Sequence, residues 1–493
     1  MGGETLSLLI AIFPILLIFL LLFIVKYSAF KSGVITLTST LLLLLSGSSE
    51  FHLSIQELLD ALIKSTLISS IAAYVMFFGI LLFHLMNESD KISEISEEFK
   101  CVTDHQVLQV IILVLGVSPL IESTSGFGTA FLVVAPILIS LGIERFKSAL
   151  IGILSLLAVP WGALSTGTVI GSKLVDIDIN DIGFISAAIS SVTICYFLLT
   201  ILYILNGYNA IIDNKYMIIK FLITFITSNI VFNYWINVEL AGVFSSLAVI
   251  GVGLFLIRKN KQHSTDITKL LKLMMPYILL TLLVLVTRVV PGISDYLSNT
   301  LVVKIQKFNF SLPLLYSPGF WIMIVCLYSI IIFKINRRII CKSISKTIVQ
   351  WYLFVITTTL FITLAQIMDF SNMNDEISSN LGNAFGEYYI LFSVLIGSLG
   401  GFLTGSNTGA NAMFMKLQVQ TAETINVDTT LIAGVQNVSA SNATMATPSR
   451  VRLASEICNV KKEESRLMNY ILKICLGALV LTMTITFFII RLI

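Results

Sequence analysis

The chain has 493 residues, of which 56% are hydrophobic and only 12% charged, with a net charge of +3 and a mean hydropathy of +0.93. A soluble domain carries about 25% charged residues. A soluble enzyme, a disordered chain and a nucleic-acid module are therefore excluded, and a polytopic all-α membrane protein is expected. The cysteines Cys101, Cys195, Cys326, Cys341, Cys458 and Cys475 form no CxxC pair, and the histidines His52, His84, His105 and His263 form no i,i+4 pair. Neither a disulfide framework nor a metal site has support.

Residues 6–25 are one apolar run preceded by Met1-Gly2-Gly3-Glu4, without the basic start of a cleavable signal, and read as a retained membrane helix. Further spans are expected near 29–47, 62–86, 148–175, 181–205, 216–234, 238–257, 271–291, 319–336, 348–369, 429–452 and 467–490, about twelve crossings in all. Lys and Arg cluster at 26–31, 91–100, 145–147, 258–272, 334–346 and 461–466, whereas the loops 48–56, 176–181, 235–238 and 370–387 carry none. The positive-inside rule assigns the clusters to the cytoplasm and both termini to the outside.

Two regions stand apart from this count. Residues 106–141 are interrupted by Pro119, Glu122 and Ser123-Thr124-Ser125-Gly126, and residues 388–420 by Gly400-Gly401 and Thr404-Gly405-Ser406-Asn407-Thr408-Gly409. Each half is about 15 residues, short for a span of about 20. Polar irregular backbone at membrane depth needs cover from protein or a wet cavity, so both regions read as re-entrant hairpins. The first is entered from the cationic side, while the second is flanked by Glu376, Glu387, Glu423 and Asp428. Opposite entry is the mark of an inverted repeat.

The repeat extends further. Thr124-Ser125-Gly126-Phe127-Gly128-Thr129-Ala130 parallels Asn407-Thr408-Gly409-Ala410-Asn411-Ala412-Met413, and Leu150-Ile151-Gly152-Ile153 parallels Ile432-Ala433-Gly434-Val435. Each half then carries a second broken stretch, Val159 to Thr168 and Asn437 to Pro448. Residues 106–175 and 388–452 thus form two matching units within a single transport domain covering 1–493, the remainder being mainly scaffold. Broken helix ends expose free N–H groups with partial positive charge. Converging at mid-membrane, they build an anion site without a lysine, and the same hydroxyls and carbonyls also suit Na⁺.

Glu122 is the sharpest single residue, because a carboxylate at membrane depth is costly and marks function by default; it suits a proton carrier. Gln366, Asp369, Arg288, Lys173, His84, Arg450 and Arg452 are weaker candidates, each with an ordinary structural alternative such as a cap or an interface anchor. No phosphate-binding loop and no nucleophile–base pair at span depth is visible. An ATP-driven pump and an intramembrane enzyme are therefore not expected. Paired inverted hairpins imply alternating access rather than an open channel.

These residues resemble a known family. Residues 119–142, with Glu122 and Ser125-Gly126-Phe127-Gly128, resemble the Leu-Glu-Gly-Ala-Ala-Gly-Phe-Gly stretch of bacterial lactate permeases. Gly401-Phe402-Leu403-Thr404-Gly405-Ser406-Asn407-Thr408, with Asn411 and Phe414, is similar to their second signature. Asn437 and Met445-Ala446-Thr447-Pro448 are similar to their third. The resemblance implies an elevator-type symporter in a prokaryotic plasma membrane that carries L-lactate, D-lactate or glycolate with protons. It implies no cofactor and no nucleic-acid partner, and a homodimer is a compatible assembly. Carried over residue by residue, it makes Ser125, Gly126, Gly128, Thr404, Ser406, Asn407, Thr408 and Asn437 substrate-binding candidates and Glu122 the proton-coupling residue. The breaks add Ser123, Thr124, Gly405 and Asn411.

Two departures bear on the substrate. Asn407 stands where the family usually has Asp, and Thr444 where several members have Lys. A charge of each sign is missing, and the nearest replacement cation is Arg450. Ser406-Asn407-Thr408 also resembles the Ser-Asn-Thr signature of dicarboxylate–sodium symporters. Sodium-coupled transport of another small organic anion therefore stands as the alternative.

Overall fold

The computed structural model describes residues 2–46, 51–101, 105–126, 128–259 and 267–492; Phe127, part of the first signature, lies outside them. Almost all of the described chain is helical, as the composition requires. A backbone in lipid must satisfy its polar groups within the segment. Among the described residues nine helices are long and apolar enough to cross a membrane, and a tenth crossing is possible through Arg145–Leu154 with Val159–Val175, bent by 58°. The chain is a polytopic helical membrane protein.

Several expected elements differ in detail. Residues 106–125 are not split at Pro119. They form a continuous helical run of 20 residues, buried from Val107 onward, and the break comes after Ser125. A π-turn at Leu113–Val117 precedes Pro119, which lies in the first turn of Ser118–Ser125. The widened turn accommodates a residue that has no N–H to donate. At 1.5 Å per residue the run is about 30 Å long. The expected spans at 6–25, 29–47 and 319–336 correspond to shorter apolar helices, Leu6–Leu22, Ala29–Leu45 and Pro318–Ile332. The expected span 429–452 is divided into Thr429–Ala443, a 3₁₀ turn at Thr444–Ala446 and Pro448–Ile457. The loop 292–318 carries a short helix, Pro291–Asn299, and an antiparallel hairpin pairing Val302–Ile305 with Phe310–Pro313.

The order of elements repeats. Two 34-residue helices, Ile55–Glu88 and Arg337–Phe370, pack along each other. The first starts at a capping box in which Ser54 Oγ accepts from the Glu57 N–H (3.2 Å) and Glu57 Oε2 from the Ser54 N–H (2.7 Å). Glu88 at its end forms ion pairs with Lys342 and Lys346 of the second. Each long helix leads to a short polar one, Lys91–Cys101 or Met373–Phe385. A helix–turn–helix follows: 106–125 with Thr129–Ser140, or Tyr389–Thr404 with Asn407–Thr424. Then comes a helix, a 3₁₀ turn and another helix. In the first half these are Arg145–Leu154, Val159–Trp161 and Gly162–Val175; in the second, Thr429–Ala443, Thr444–Ala446 and Pro448–Ile457. Each half closes on a long helix, Ile179–Asp213 or Glu464–Leu492. The largest apolar core surrounds residues 106–161, with Phe131, Trp161, Phe197, Phe221 and Phe225 fully buried.

Candidate functional site

The two turns meet the first 3₁₀ break and Arg450 of Pro448–Ile457 at one small cavity of about 40 Å³, lined by Glu122, Gly126, Thr166, Ser406, Asn407, Thr408 and Arg450 among others. That volume holds roughly two or three waters.

The first turn is built by glycine. Gly126 (φ +68°, ψ −158°) ends Ser118–Ser125, and Gly128 (φ +73°) starts Thr129–Ser140. A side chain at Gly128 would be strained by its φ and would lie 2.9 Å from the Arg450 guanidinium. The turn aims the Gly128 N–H at Glu122 Oε1 (2.9 Å). Ala130 N–H lies close enough to act on the same carboxylate. Oε2 nevertheless has no partner that meets hydrogen-bond geometry, and Glu122 is 1% exposed. A buried carboxylate oxygen without a partner is costly and invites either a proton or a ligand donor.

The second turn is built as a helix cap. Gly405 (φ +64°) closes Tyr389–Thr404, and Ser406 Oγ accepts from the Gly409 N–H (3.2 Å) to open Asn407–Thr424. Thr404 does not reach the cavity. Its hydroxyl bonds to the carbonyls of Gly400 (2.8 Å) and Ser406 (2.9 Å), bracing the turn. Asn407 donates through Nδ2 to Asn437 Oδ1 (2.8 Å), while its own Oδ1 is buried without a partner. Thr408 Oγ1 faces Thr166 Oγ1 at 3.4 Å.

Behind this wall runs a chain of buried amides. Asn411 donates to Gly167 O (3.1 Å) and Asn437 Oδ1 (2.9 Å), and Asn437 donates to Thr168 Oγ1 (3.1 Å) and Ser186 Oγ (2.9 Å). Gln418 donates to Gln436 Oε1 (2.6 Å) and accepts from the Tyr389 hydroxyl (2.9 Å). Asn411 and Asn437 therefore hold Asn407 in place from one layer back. A satisfied buried network of this kind fixes geometry.

Arg450, which also reads as an interface anchor in the sequence, is buried. Its guanidinium donates to Thr444 Oγ1 (2.8 Å), Thr444 O (3.2 Å) and Gly405 O (2.8 Å). It thereby ties the 3₁₀ break of the second half to the second turn while resting on Gly128 of the first. Arg450 lies six residues beyond Thr444, and Pro448–Ile457 turns its guanidinium back toward the break. Among the described residues Glu122 and Arg450 form no direct ion pair, although they are close enough to interact through space. The cavity lies against both.

Three expected residues turn elsewhere. Ser123 packs against Gly242 of Val238–Lys259 with its hydroxyl unpartnered. Thr124 bonds back to Leu120 O (2.9 Å), and Ser125 to Ile121 O (2.6 Å) and the Thr129 hydroxyl (2.5 Å). Among the weaker candidates, His84 meets Gln350 Oε1 at 3.2 Å and Asp369 pairs with Lys416. Thr166 and Gly167 lie in the expected broken stretch 159–168 but not among the expected binding residues. They follow three consecutive left-handed residues, Ala163 (φ +48°), Leu164 (φ +53°) and Ser165 (φ +59°). Each costs about 1–2 kcal/mol. Ser165 Oγ to Val238 O (2.9 Å) and Trp161 Nε1 to Asn233 Oδ1 (3.0 Å) hold the turn. Strain kept under such constraint collects at functional sites. Val159-Pro160-Trp161-Gly162 was the signal available.

Comparison with known proteins places the chain in a family. The sequence profile described as L-lactate permease matches residues 7–493. The chain is 23% identical over 440 residues to the L-lactate permease of Streptococcus iniae, covering 85% of this chain and 91% of that one. It is 23% identical over 540 residues to the glycolate permease of Escherichia coli strain K12, covering 96% and 94%, and 20% identical over 505 residues to the L-lactate permease of Halalkalibacterium halodurans, covering 96% and 94%. With its apolar spans and bacterial relatives, the chain is a multi-pass plasma-membrane permease with a small-molecule substrate rather than an enzyme. The match over nearly the full length establishes that this chain belongs to the L-lactate permease family.

Proposed function

We propose that the protein is a secondary active symporter that carries lactate, glycolate or a related short 2-hydroxy monocarboxylate together with a proton. The observation that carries this reading is the pairing of two buried, unjoined opposite charges, Glu122 and Arg450, across one small cavity. A substrate carboxylate would take the Arg450 guanidinium and the N–H groups that open Asn407–Thr424. Asn407 Oδ1, buried and unpartnered, suits the 2-hydroxyl as a donor. Glu122, the substrate carboxylate and Arg450 together carry one net negative charge, so Glu122 needs a proton for the loaded site to cross the membrane core neutral, which couples substrate to H⁺.

The repeated element order and the opposite charge of the flanking loops support inverted repeats. In this reading the two helix–turn–helix units enter from opposite faces as re-entrant hairpins. They ride with the two broken helices, 106–175 and 388–452, as the moving part of an elevator against the remaining spans. A homodimer would anchor that scaffold. The alternative, Na⁺ in place of H⁺, draws on the same Asn407 Oδ1 and the neighbouring Ser406 and Thr408 oxygens.

The test is ¹⁴C-lactate uptake into proteoliposomes under an imposed pH gradient, with and without Na⁺. Accumulation driven by the pH gradient alone supports the proton reading. An absolute need for Na⁺ transfers the coupling to Asn407, and absence of uptake in both conditions overturns the substrate assignment.

A further inference from the structure

A second cavity, of about 610 Å³, opens beside the site. Its wall includes the loops 176–181 and 235–238, which carry no Lys or Arg and which the positive-inside rule assigns to the outside. Asp176, Asp178 and Lys173 stand at its solvent-exposed part. Thr166 lines this cavity and the inner one alike, and the left-handed turn separates them, with Leu164 on the outer side and Ala163 on the inner.

In the wall sits Arg288, whose side chain is only 4% exposed. Its Nη2 pairs with Glu239 Oε2 at 2.9 Å, and its guanidinium lies 3.5 Å from the ring centre of Tyr316. Glu239 Oε2 also accepts from Asn237 Nδ2 (3.1 Å). The Arg288 Nε and Nη1 groups have no partner. A buried guanidinium held on one edge by an acid and on one face by a ring presents its remaining N–H groups as a preset receptor for a planar anion. Of the acids in the cavity, Asp178 is occupied in capping, accepting from the Asn180 N–H at 2.7 Å.

We infer that Arg288, framed by Glu239 and Tyr316, is an outer capture site for a small carboxylate, which it holds before entry past Thr166 into the Glu122–Arg450 cavity. The inference rests on the transport reading above, and it adds a second binding site of separate composition. Arg288 is a binding residue here, distinct from the inner pair.

The test compares L-lactate uptake kinetics of the wild type, Arg288→Gln, Glu239→Gln and the double variant, each reconstituted after confirming a monodisperse preparation. The double variant removes both charges and so leaves none buried alone. The expected result is a KM raised about tenfold in Arg288→Gln and in the double variant, with kcat within about twofold and no rise in KM for Glu239→Gln. An unchanged KM in Arg288→Gln and the double variant overturns the inference while leaving the transport reading intact. So does a joint fall of kcat in all three variants, the pattern of a purely structural ion pair. Should the wild type carry no monocarboxylate, the transport reading fails and calorimetric titration with acetate, L-lactate and succinate decides the site. Binding lost with Arg288 upholds it, and no Arg288-dependent binding overturns it.

Discussion

The two turns at the cavity solve the same problem with different chemistry. The first supplies a formal charge, Glu122, and two glycines whose backbone lets other groups come close. The second carries no charge of its own. It offers a capped helix start and an amide backed by Asn411 and Asn437, and it acquires its charge from Arg450 through a bond to Gly405 O. One half holds the acid, the other the cation and the polar scaffold. A single negative charge opposed to a single positive one leaves the cavity close to neutral. In the proposed symport, that is the state which a monovalent anion and a proton enter as a pair.

The sharpest way to break this comparison is to remove the borrowed charge. Arg450→Gln is expected to lower uphill uptake by at least about a hundredfold, since it leaves Glu122 and the substrate carboxylate without a counter-charge. Arg450→Lys should recover only part of it, because a point charge cannot serve Thr444 O, Thr444 Oγ1 and Gly405 O in one plane. Initial rates in proteoliposomes measure both.

Glu122→Gln tests the other half. Accumulation driven by a pH gradient should vanish, while lactate–lactate exchange persists within about threefold, because a neutral amide permits the loaded state but moves no proton. Its exchange rate should also be flat with pH. Intact uphill uptake would contradict the assigned role.

Gly128→Ala asks whether the close approach of the halves matters. The methyl group meets both an unfavourable φ and the guanidinium at 2.9 Å, so a loss of about 1–3 kcal/mol in stability is expected, read as a lower unfolding temperature in detergent. The smallest effect belongs to the cap: Ser406→Ala should cost about 1 kcal/mol and change KM only a few-fold. An equal effect of Ser406→Ala and Arg450→Gln would erase the distinction between the turns.

The sequence located the turns well but not the faces. Glycine and hydroxyl clusters inside apolar runs are legible, because a helix in lipid tolerates them only where something covers them. Glu122, Gly126, Gly405 and Asn407 were found in this way. Ser123, Thr124 and Ser125 are expected to bind substrate beside Glu122 yet turn away, since which of four adjacent residues faces a cavity depends on helix phase. The π-turn at Leu113–Val117 shifts that phase by one residue. Thr166 remained hidden because its position follows from a left-handed turn at Ala163–Ser165, and non-glycine residues give no local sign of one.

The sequence by itself determined the class of this protein: the desolvation cost of backbone and charge makes a chain of this composition helical, multi-pass and broken where it works. Its repeated breaks and lone deep carboxylate were likewise set by local pattern. Only the tertiary structure decided that Arg450 reaches the first turn, that Asn407 and Asn437 share one bond, and that Arg288 is left with free N–H groups beside a cavity. Each of these joins segments distant in sequence, and such contacts come from the packing of whole helices against one another, which no local periodicity encodes.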